Sequence, residues 1–255
     1  MTNKLALFAA AALAVTAASS TQAFERPVPA GAKNILIVHD AFVDGSGWRT
    51  VHDILFLKGY TVTVVPTTSQ SLHDDDEALD KQIMFADGPV VLVGHGYGGA
   101  VITTGGNSKK VKALVYVAGY APEVSESVNQ LSNVTPPAAS NLRNTFDGLV
   151  YFDRANFPRD YAADVVINRS SFMADTLNHA TIAALGGQSR SVAWRAIPSY
   201  GIVATEDRVV NPELQRFMYQ RAGARVTELK ASHALYISQP EAVAKVIEAA
   251  ALSAQ

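Results

Sequence analysis

The stretch VVLVGHGYGGA at residues 90–100 decides the fold of this protein. Four apolar residues of strand length, 90–93, lead into a turn composed mostly of glycine, and a helical pattern follows the turn. Glycine tolerates the strained backbone of a sharp turn and allows neighbouring chain segments to approach closely. The stretch therefore predicts a strand, a tight turn and a helix, in that order.

The alternation of strand and helix continues on both sides of this stretch. Continuous apolar runs of strand length occur at 35–38, 62–65, 114–117, 202–204 and, more weakly, 226–229. Strands that are apolar on both faces are typical of a parallel sheet covered by helices. Because helical patterns separate these strands, the sequence predicts a doubly wound, mainly parallel α/β sheet of about six strands with right-handed connections.

The helices are predicted from apolar spacing and from the residues at their ends. Residues 48–55 carry apolar side chains at spacings of three and four before Gly59, which favours a helix stop. Residues 211–213, Asn-Pro-Glu, favour a helix start, and Gly223 favours its end. A last helix is predicted to begin at Pro240.

One region, about 121–197, interrupts the alternation with several prolines, a Gly-Gly pair and scattered aromatic residues. We interpret it as a small helical cap inserted over one end of the sheet. Ligands of open α/β sheets bind beyond the carboxyl ends of the strands, so a cap there would shape a pocket. The alternative is an ordinary pair of connecting helices whose aromatic residues belong to the core.

Composition limits the classes of function. The 255 residues include 21 Lys and Arg against 23 Asp and Glu, so the net charge of -2 disfavours nucleic-acid binding. The absence of cysteine excludes disulfides, thiolate zinc sites and cysteine nucleophiles. The histidines outside the motifs below form no metal-binding pattern, no nucleotide-binding motif is present, and the acidic run 74–77 is typical of a helix start. We therefore expect neither a metal nor a cofactor.

The first residues are typical of a secretory signal peptide. Lys4 precedes an apolar run at 5–15, and small and polar residues end in Thr-Gln-Ala at 21–23. The run is shorter than the roughly 20 residues that cross a bilayer. We therefore expect cleavage after Ala23, a mature domain over 24–255 without a membrane span, and a secreted or periplasmic location.

At residues 94–99 the sequence resembles the α/β-hydrolase superfamily, and more narrowly its small carboxylesterase-like and hydroxynitrile-lyase-like members. In these proteins the sharp turn between strand and helix, called the nucleophile elbow, reads G-H-S-x-G-G. Three further matches follow the family's order: VHDAF at 38–42 resembles its oxyanion loop, ATED at 204–207 carries its acid, and Ser232-His233 carries its catalytic histidine. The resemblance covers about residues 34–250. It implies an α/β-hydrolase fold and a pocket for a small, apolar ester or related carbonyl compound.

Two residues depart from the family's pattern. Gly96 stands where the family has its serine, so the covalent acyl-enzyme route is not available at that position. Asp40 stands where the family has a glycine. Its carboxylate would oppose the negative charge that the resemblance assigns to the oxyanion amides of Ala41 and Tyr97.

The remaining candidates are a histidine and an acid without a nucleophile. The resemblance implies that His233 is a general base oriented by Asp207, and Asp40 is a candidate second acid or base. Glu206 and Glu123 are alternative partners for His233. We expect substrate contacts at His39, Phe42, Tyr97 and Trp194, although Tyr97 could instead pack on the elbow helix.

Three functions fit this sequence: a non-serine enzyme that uses His233 and Asp207, a disabled carboxylesterase, and a non-catalytic protein that binds small molecules. A small-molecule substrate or ligand is the expected partner in each case. The oligomeric state is left open.

Overall fold

The computed structural model describes residues 27–139 and 141–254, so the predicted leader at 1–23 lies outside the described residues. The strands are β1 (Asn34–Val38), β2 (Thr61–Val64), β3 (Val90–His95), β4 (Val111–Val117), β5 (Leu142–Asn144), β6 (Leu149–Phe152), β7 (Ala180–Thr181), β8 (Ser199–Ala204) and β9 (Arg225–Leu229). The helices are α1 (Arg49–Leu57), α2 (Leu72–Phe85), α3 (Gly98–Gly105), α4 (Val128–Val134), α5 (Phe157–Asp160), α6 (Ile167–Asp175), α7 (Ile182–Gly186), α8 (Pro212–Arg221), α9 (Leu235–Ser238) and α10 (Pro240–Ser253).

The main sheet has six strands in the order β2-β1-β3-β4-β8-β9, and every neighbouring pair is parallel. Strands β1, β3 and β8 are buried along their whole length, whereas the edge strands β2 and β9 are partly exposed. The prediction of a mainly parallel sheet of about six strands is confirmed.

Strand order fixes where a site can form. Strand β2 pairs with one edge of β1, and the chain then returns to place β3 along the other edge of β1. This reversal leaves a crevice at the carboxyl ends of β1 and β3, where ligands of open α/β sheets bind. The loop after β1 and the turn after β3 therefore meet at the same edge.

Helices pack against the strands of the main sheet, as the alternation of strands and helices in the sequence predicts. Helix α10 packs on β3, β4 and β8 and also against α1, while α3 packs on β3 and against α2. Gly59 ends the turn after α1 with a φ of 94°, and Asn211 caps α8 by accepting a hydrogen bond from the Glu213 amide. Among the described helices, none has both the length and the apolar character needed to cross a membrane.

The insertion between β4 and β8 contains helices α4 to α7 together with a small antiparallel sheet, β5-β6-β7. The sequence predicts a small helical cap here, and the three strands were not predicted. Its strands are only two to four residues long, which is too short to show an alternating pattern. Residues of this insertion, which we call the cap, line a pocket together with Asp40, which follows β1.

Candidate active site

The turn after β3 forms a sharp elbow. Gly96 has a φ of 53°, and α3 begins two residues later at Gly98. The backbone of Gly98 passes so close to the carbonyl group of Val38 that a β-carbon there would overlap with it. The glycines therefore allow the elbow to pack directly on the end of β1, which brings the loop at Asp40 to Gly96.

The carboxylate of Asp40 fills the space beside Gly96. A β-carbon built on Gly96 would lie 2.5 Å from Cγ and 2.9 Å from Cβ of Asp40, well inside van der Waals contact. Asp40 Oδ1 accepts a hydrogen bond from the Tyr97 amide at 2.8 Å, and Oδ2 accepts one from the Tyr161 hydroxyl at 3.1 Å. A carboxylate thus occupies both the position of an elbow side chain and one amide of the predicted oxyanion site.

His233 is paired with Asp207 at the ends of β9 and β8. His233 Nδ1 donates to Asp207 Oδ2 at 2.7 Å. The other oxygen, Oδ1, accepts the amides of Val209 at 2.7 Å and Val210 at 2.9 Å, and Gln215 Nε2 donates to Oδ2 at 2.8 Å. These contacts fix the carboxylate, which in turn fixes the tautomer and orientation of the ring.

The second ring nitrogen of His233 faces Asp40. Nε2 lies 3.9 Å from Asp40 Oδ2, and among the described residues it has no hydrogen-bond partner. Burial disfavours the charged ring, but the carboxylates of Asp207 and Asp40 together outweigh burial and raise the pKa of His233 above its ordinary value. Two carboxylates therefore favour a proton on this ring.

The structure distinguishes between the three candidate acids. Asp207 contacts His233, whereas Glu206 lies 3.6 Å from Lys230 and Glu123 lies 2.8 Å from Arg195. Of these acids, only Asp207 is placed to orient the ring.

A pocket of about 270 Å³ opens above Asp40, between the sheet and the cap. Asp40 lies at its floor, and its walls are mostly apolar. They include Phe42, Val128, Leu142, Phe152, Leu185 and Val210. Among the described residues that line it, Asp40 alone carries a formal charge. The fully buried His233 lies behind Asp40, so a molecule in the pocket meets the carboxylate first.

The expected substrate contacts divide into two groups. Phe42 and Tyr97 line the pocket, whereas His39 and Trp194 are not part of its lining. His39 Nδ1 donates to the backbone carbonyl of Asp40 at 2.9 Å, and Trp194 Nε1 donates to the carbonyl of Pro122 at 3.0 Å. The polar atoms of these two side chains are used to hold loops. Ala41 is buried next to Asp40, and the role of its amide stays a prediction.

Sequence reasoning missed three side chains that organise the site. Tyr161 donates to Asp40 from the cap, Gln215 holds Asp207 from α8, and Asp75 accepts the Tyr97 hydroxyl at 2.9 Å from α2. Asp75 belongs to the acidic run read as a helix start. It is buried, which raises its pKa, and it also accepts the Thr68 amide at 2.8 Å. The sequence did contain a signal for the burial of Asp75. Residues four apart lie on the same face of a helix, and Asp75 precedes the buried Leu79 by four residues.

In the part of the chain that the structure describes, no group of three or more histidine and acidic side chains is arranged to hold a metal ion.

Comparison with known proteins places this arrangement in a family. The alpha/beta hydrolase family model matches residues 35–246. The chain is 29% identical over 199 residues to the alpha/beta hydrolase nvfD of Aspergillus novofumigatus, covering 70% of this chain and 77% of that protein. It is 26% identical over 245 residues to a pyrethroid hydrolase of Sphingobium wenxiniae, covering 84% and 86%.

The fold also matches solved structures. Tomato methylketone synthase I superposes with a TM-score of 0.76 over 88% of this chain and 99% of that chain, at 15% identity. At this identity the likeness concerns the fold alone. The family model, which spans most of the chain, confirms the resemblance seen at the elbow: the protein belongs to the alpha/beta hydrolase family.

Proposed function

We propose that this protein is a non-serine enzyme in which Asp40 takes a proton from a small, largely apolar carbonyl compound. The observation that carries the proposal is the placement of Asp40 at the elbow, on the pocket floor and 3.9 Å from His233 Nε2. His233 accepts the proton from Asp40, and Asp207 stabilises the imidazolium that forms.

The same placement argues against acyl transfer by this site. Gly96 offers no nucleophile, and the Tyr97 amide already donates to Asp40 Oδ1 at 2.8 Å. A tetrahedral oxyanion at this amide would have to displace the carboxylate and would meet its negative charge. One oxyanion donor can be worth about 10² to 10³ in rate, so hydrolysis of an ester loses a large part of its usual stabilisation.

Proton transfer needs no nucleophile at position 96. The bond between the substrate and its proton breaks, the electron pair stays on the substrate, and the proton passes to Asp40 and then to His233. The distance of 3.9 Å between Oδ2 and Nε2 is longer than a hydrogen bond, and such contacts commonly shorten when substrate is bound. The raised pKa of His233 favours the state with the proton on the ring.

The similar structures add one chemical hint. Tomato methylketone synthase I was crystallised with 2-tridecanone, and a variant of it with β-ketoheptanoate. Because that likeness concerns the fold alone, these compounds add ketones as a class to the substrates to be tested here.

The test is proton exchange in D2O, followed by NMR. Neutral ketones and hydroxyketones of pocket size, 4-phenyl-2-butanone among them, are incubated with the protein. We expect loss of the signal from the protons next to the carbonyl, insensitive to fluorophosphonates, and slower by about 10² or more in Asp40→Asn and in His233→Ala. Exchange no faster than without protein across the whole set, or unchanged in His233→Ala, contradicts the proposal.

A second candidate, a disabled carboxylesterase, is supported by the intact elbow and the paired His233 and Asp207. In that case the histidine and acid remain ready to serve a serine that is absent. Hydrolysis of a short acyl ester by the double variant Gly96→Ser and Asp40→Gly tests this candidate.

A further inference from the structure

The reactive end of the pocket is the carboxylate of Asp40, whose neighbouring basic group, His233, is buried behind it. No lysine or arginine is among the described residues that line the pocket. Two arginines near its rim in sequence are paired elsewhere: Arg208 Nε donates to Asp160 at 2.7 Å, and Arg143 lies 3.6 Å from Asp153. A ligand in this pocket therefore meets Asp40 against apolar walls, where electrostatic interactions are stronger than in water.

The groups behind the floor make the field more negative. Asp207 and Asp75 are both buried close to the elbow. His233 lies between Asp40 and Asp207, and His39 lies near Asp75, whereas burial and the neighbouring His233 lower the pKa of His95 well below its ordinary value and keep that ring neutral. Two basic side chains thus stand among three buried acids, Asp40, Asp75 and Asp207. Clefts lined by one sign of charge attract ligands of the other sign and repel those of the same sign.

The hydrogen-bond groups at the floor point to the same preference. The Tyr97 amide and the Tyr161 hydroxyl donate to Asp40, and the Tyr97 hydroxyl donates to Asp75. These donors are used within the protein. Each carboxylate oxygen has two lone pairs, so Asp40 retains acceptor capacity on both oxygens. A ligand satisfies this floor by bringing a donor, whereas a carboxylate would bring more acceptors and a like charge.

We infer that the pocket selects small apolar molecules whose end against Asp40 is a neutral or cationic hydrogen-bond donor, an alcohol or an amine, and that it rejects carboxylates. The inference rests on the proposed function in taking Asp40 as the group that contacts the substrate. It adds that, among carbonyl compounds, those that carry a hydroxyl or amino group, such as hydroxyketones, bind more tightly than simple ketones and than those that carry a carboxylate.

The experiment compares three ligands of one shape: 3-phenylpropan-1-ol, 3-phenylpropylamine and 3-phenylpropanoate. Their Kd values for the whole protein are measured by titration calorimetry and checked by thermal shift. We expect the alcohol and the amine to bind at least about tenfold more tightly than the carboxylate, a difference of about 1.4 kcal/mol. Asp40→Asn should weaken the amine at least about tenfold and bring the carboxylate within about threefold of the alcohol.

Asp44→Asn is the matched control. It removes the same charge four residues further along the same loop, from an exposed side chain whose capping role asparagine preserves. The ligand preference should stay as in the unaltered protein. A second variant, Asn133→Lys, adds a cation at an exposed position of the pocket lining and should tighten the carboxylate even if Asp40→Asn does not fold.

The inference is wrong if the carboxylate binds the unaltered protein as tightly as the alcohol, or if alcohol and amine do not bind at millimolar concentration. It is also wrong if Asn133→Lys alters no Kd, since the ligands then lie outside this pocket. Binding needs no turnover. A protein that shows the expected preference but exchanges no proton contradicts the proposed function alone, and exchange with the opposite preference contradicts this inference alone.

Discussion

His233 Nε2 lies 3.9 Å from Asp40 Oδ2, while its other ring nitrogen lies 2.7 Å from Asp207 Oδ2. The ring therefore stands between two carboxylates, one fixed by the backbone and one exposed to the pocket. Each of the two carboxylates favours the imidazolium, and each can be removed separately.

We expect the ring of His233 to titrate above the ordinary histidine value of about 6.5, and to titrate lower in both Asp40→Asn and Asp207→Asn. NMR of the ring protons measures this without any substrate. Because the base form appears as pH rises, proton exchange should rise with pH through the same pKa. Asp44→Asn should leave the titration in place, and a ring unmoved by Asp40→Asn would show that the two groups do not interact.

The raised pKa of His233 also makes the stability of the protein depend on pH. A pKa raised by folding means that the charged ring stabilises the folded state. This contribution is complete below about 6.5 and is lost as pH rises through the raised value.

We expect Gly96→Ser alone to restore little ester hydrolysis, because its β-carbon would overlap with the Asp40 carboxylate. The pair Gly96→Ser and Asp40→Gly removes the overlap and frees the Tyr97 amide. Hydrolysis of p-nitrophenyl butyrate and labelling by a fluorophosphonate measure both variants, with Asp40→Gly alone as the control. Equal hydrolysis by the single and the double variant would show that Asp40 does not block the elbow, and an inactive but folded double variant counts against the disabled esterase.

Gln215 is a positioning residue whose loss should be felt at His233. Its amide donates to Asp207 and to the carbonyl of Val210, and its oxygen accepts the Ala204 amide at 3.1 Å. We expect Gln215→Met to lower the free energy of unfolding by about 1–3 kcal/mol, because buried polar groups lose their partners. It should also shift the His233 titration and slow proton exchange. Gln220→Met, on the exposed face of the same helix, should do neither.

Asp160 fixes the cap to the loop after β8. Its buried carboxylate accepts hydrogen bonds from Arg159, Arg208 and Asn141, and the Arg159 guanidinium above all lowers its pKa to about 2. A lowered pKa stabilises the protein above the unfolded value of about 4, and this contribution is lost as pH falls through about 2.

We therefore expect Asp160→Asn to lower the free energy of unfolding at pH 7 by about 1–3 kcal/mol, with a smaller difference from the unaltered protein at pH 3. Urea unfolding at both pH values measures this. Asp175→Asn, which breaks a surface pair with Arg154, should cost at most about 1 kcal/mol. A difference independent of pH would mean that the charge of Asp160 does not matter.

The parts of the fold that local pattern determines were predictable. The six strands of the main sheet follow from apolar runs, and the elbow follows from glycines whose neighbours approach too closely for a side chain. The residues at strand ends also came together as the topology requires, since Asp207 and His233 follow neighbouring parallel strands.

What the sequence could not show depends on contacts between distant segments. The overlap between Asp40 and a side chain at 96 appears only when the loop after β1 is packed on the elbow. Tyr161 and Trp194 are both aromatic residues of the cap, and nothing in the neighbouring sequence distinguishes them. The Tyr161 hydroxyl donates to Asp40, whereas the Trp194 indole donates to the carbonyl of Pro122 within the cap. The cap strands are too short to give a period.

The overlap between positions 40 and 96 also makes the two residues depend on each other. An aspartate in this pose at position 40 needs a residue without a side chain at position 96. While Asp40 holds this pose, a serine at position 96 is obstructed by its carboxylate. A chain with this backbone therefore presents a serine at the elbow only when both positions change together, and neither residue can be judged from its own position alone.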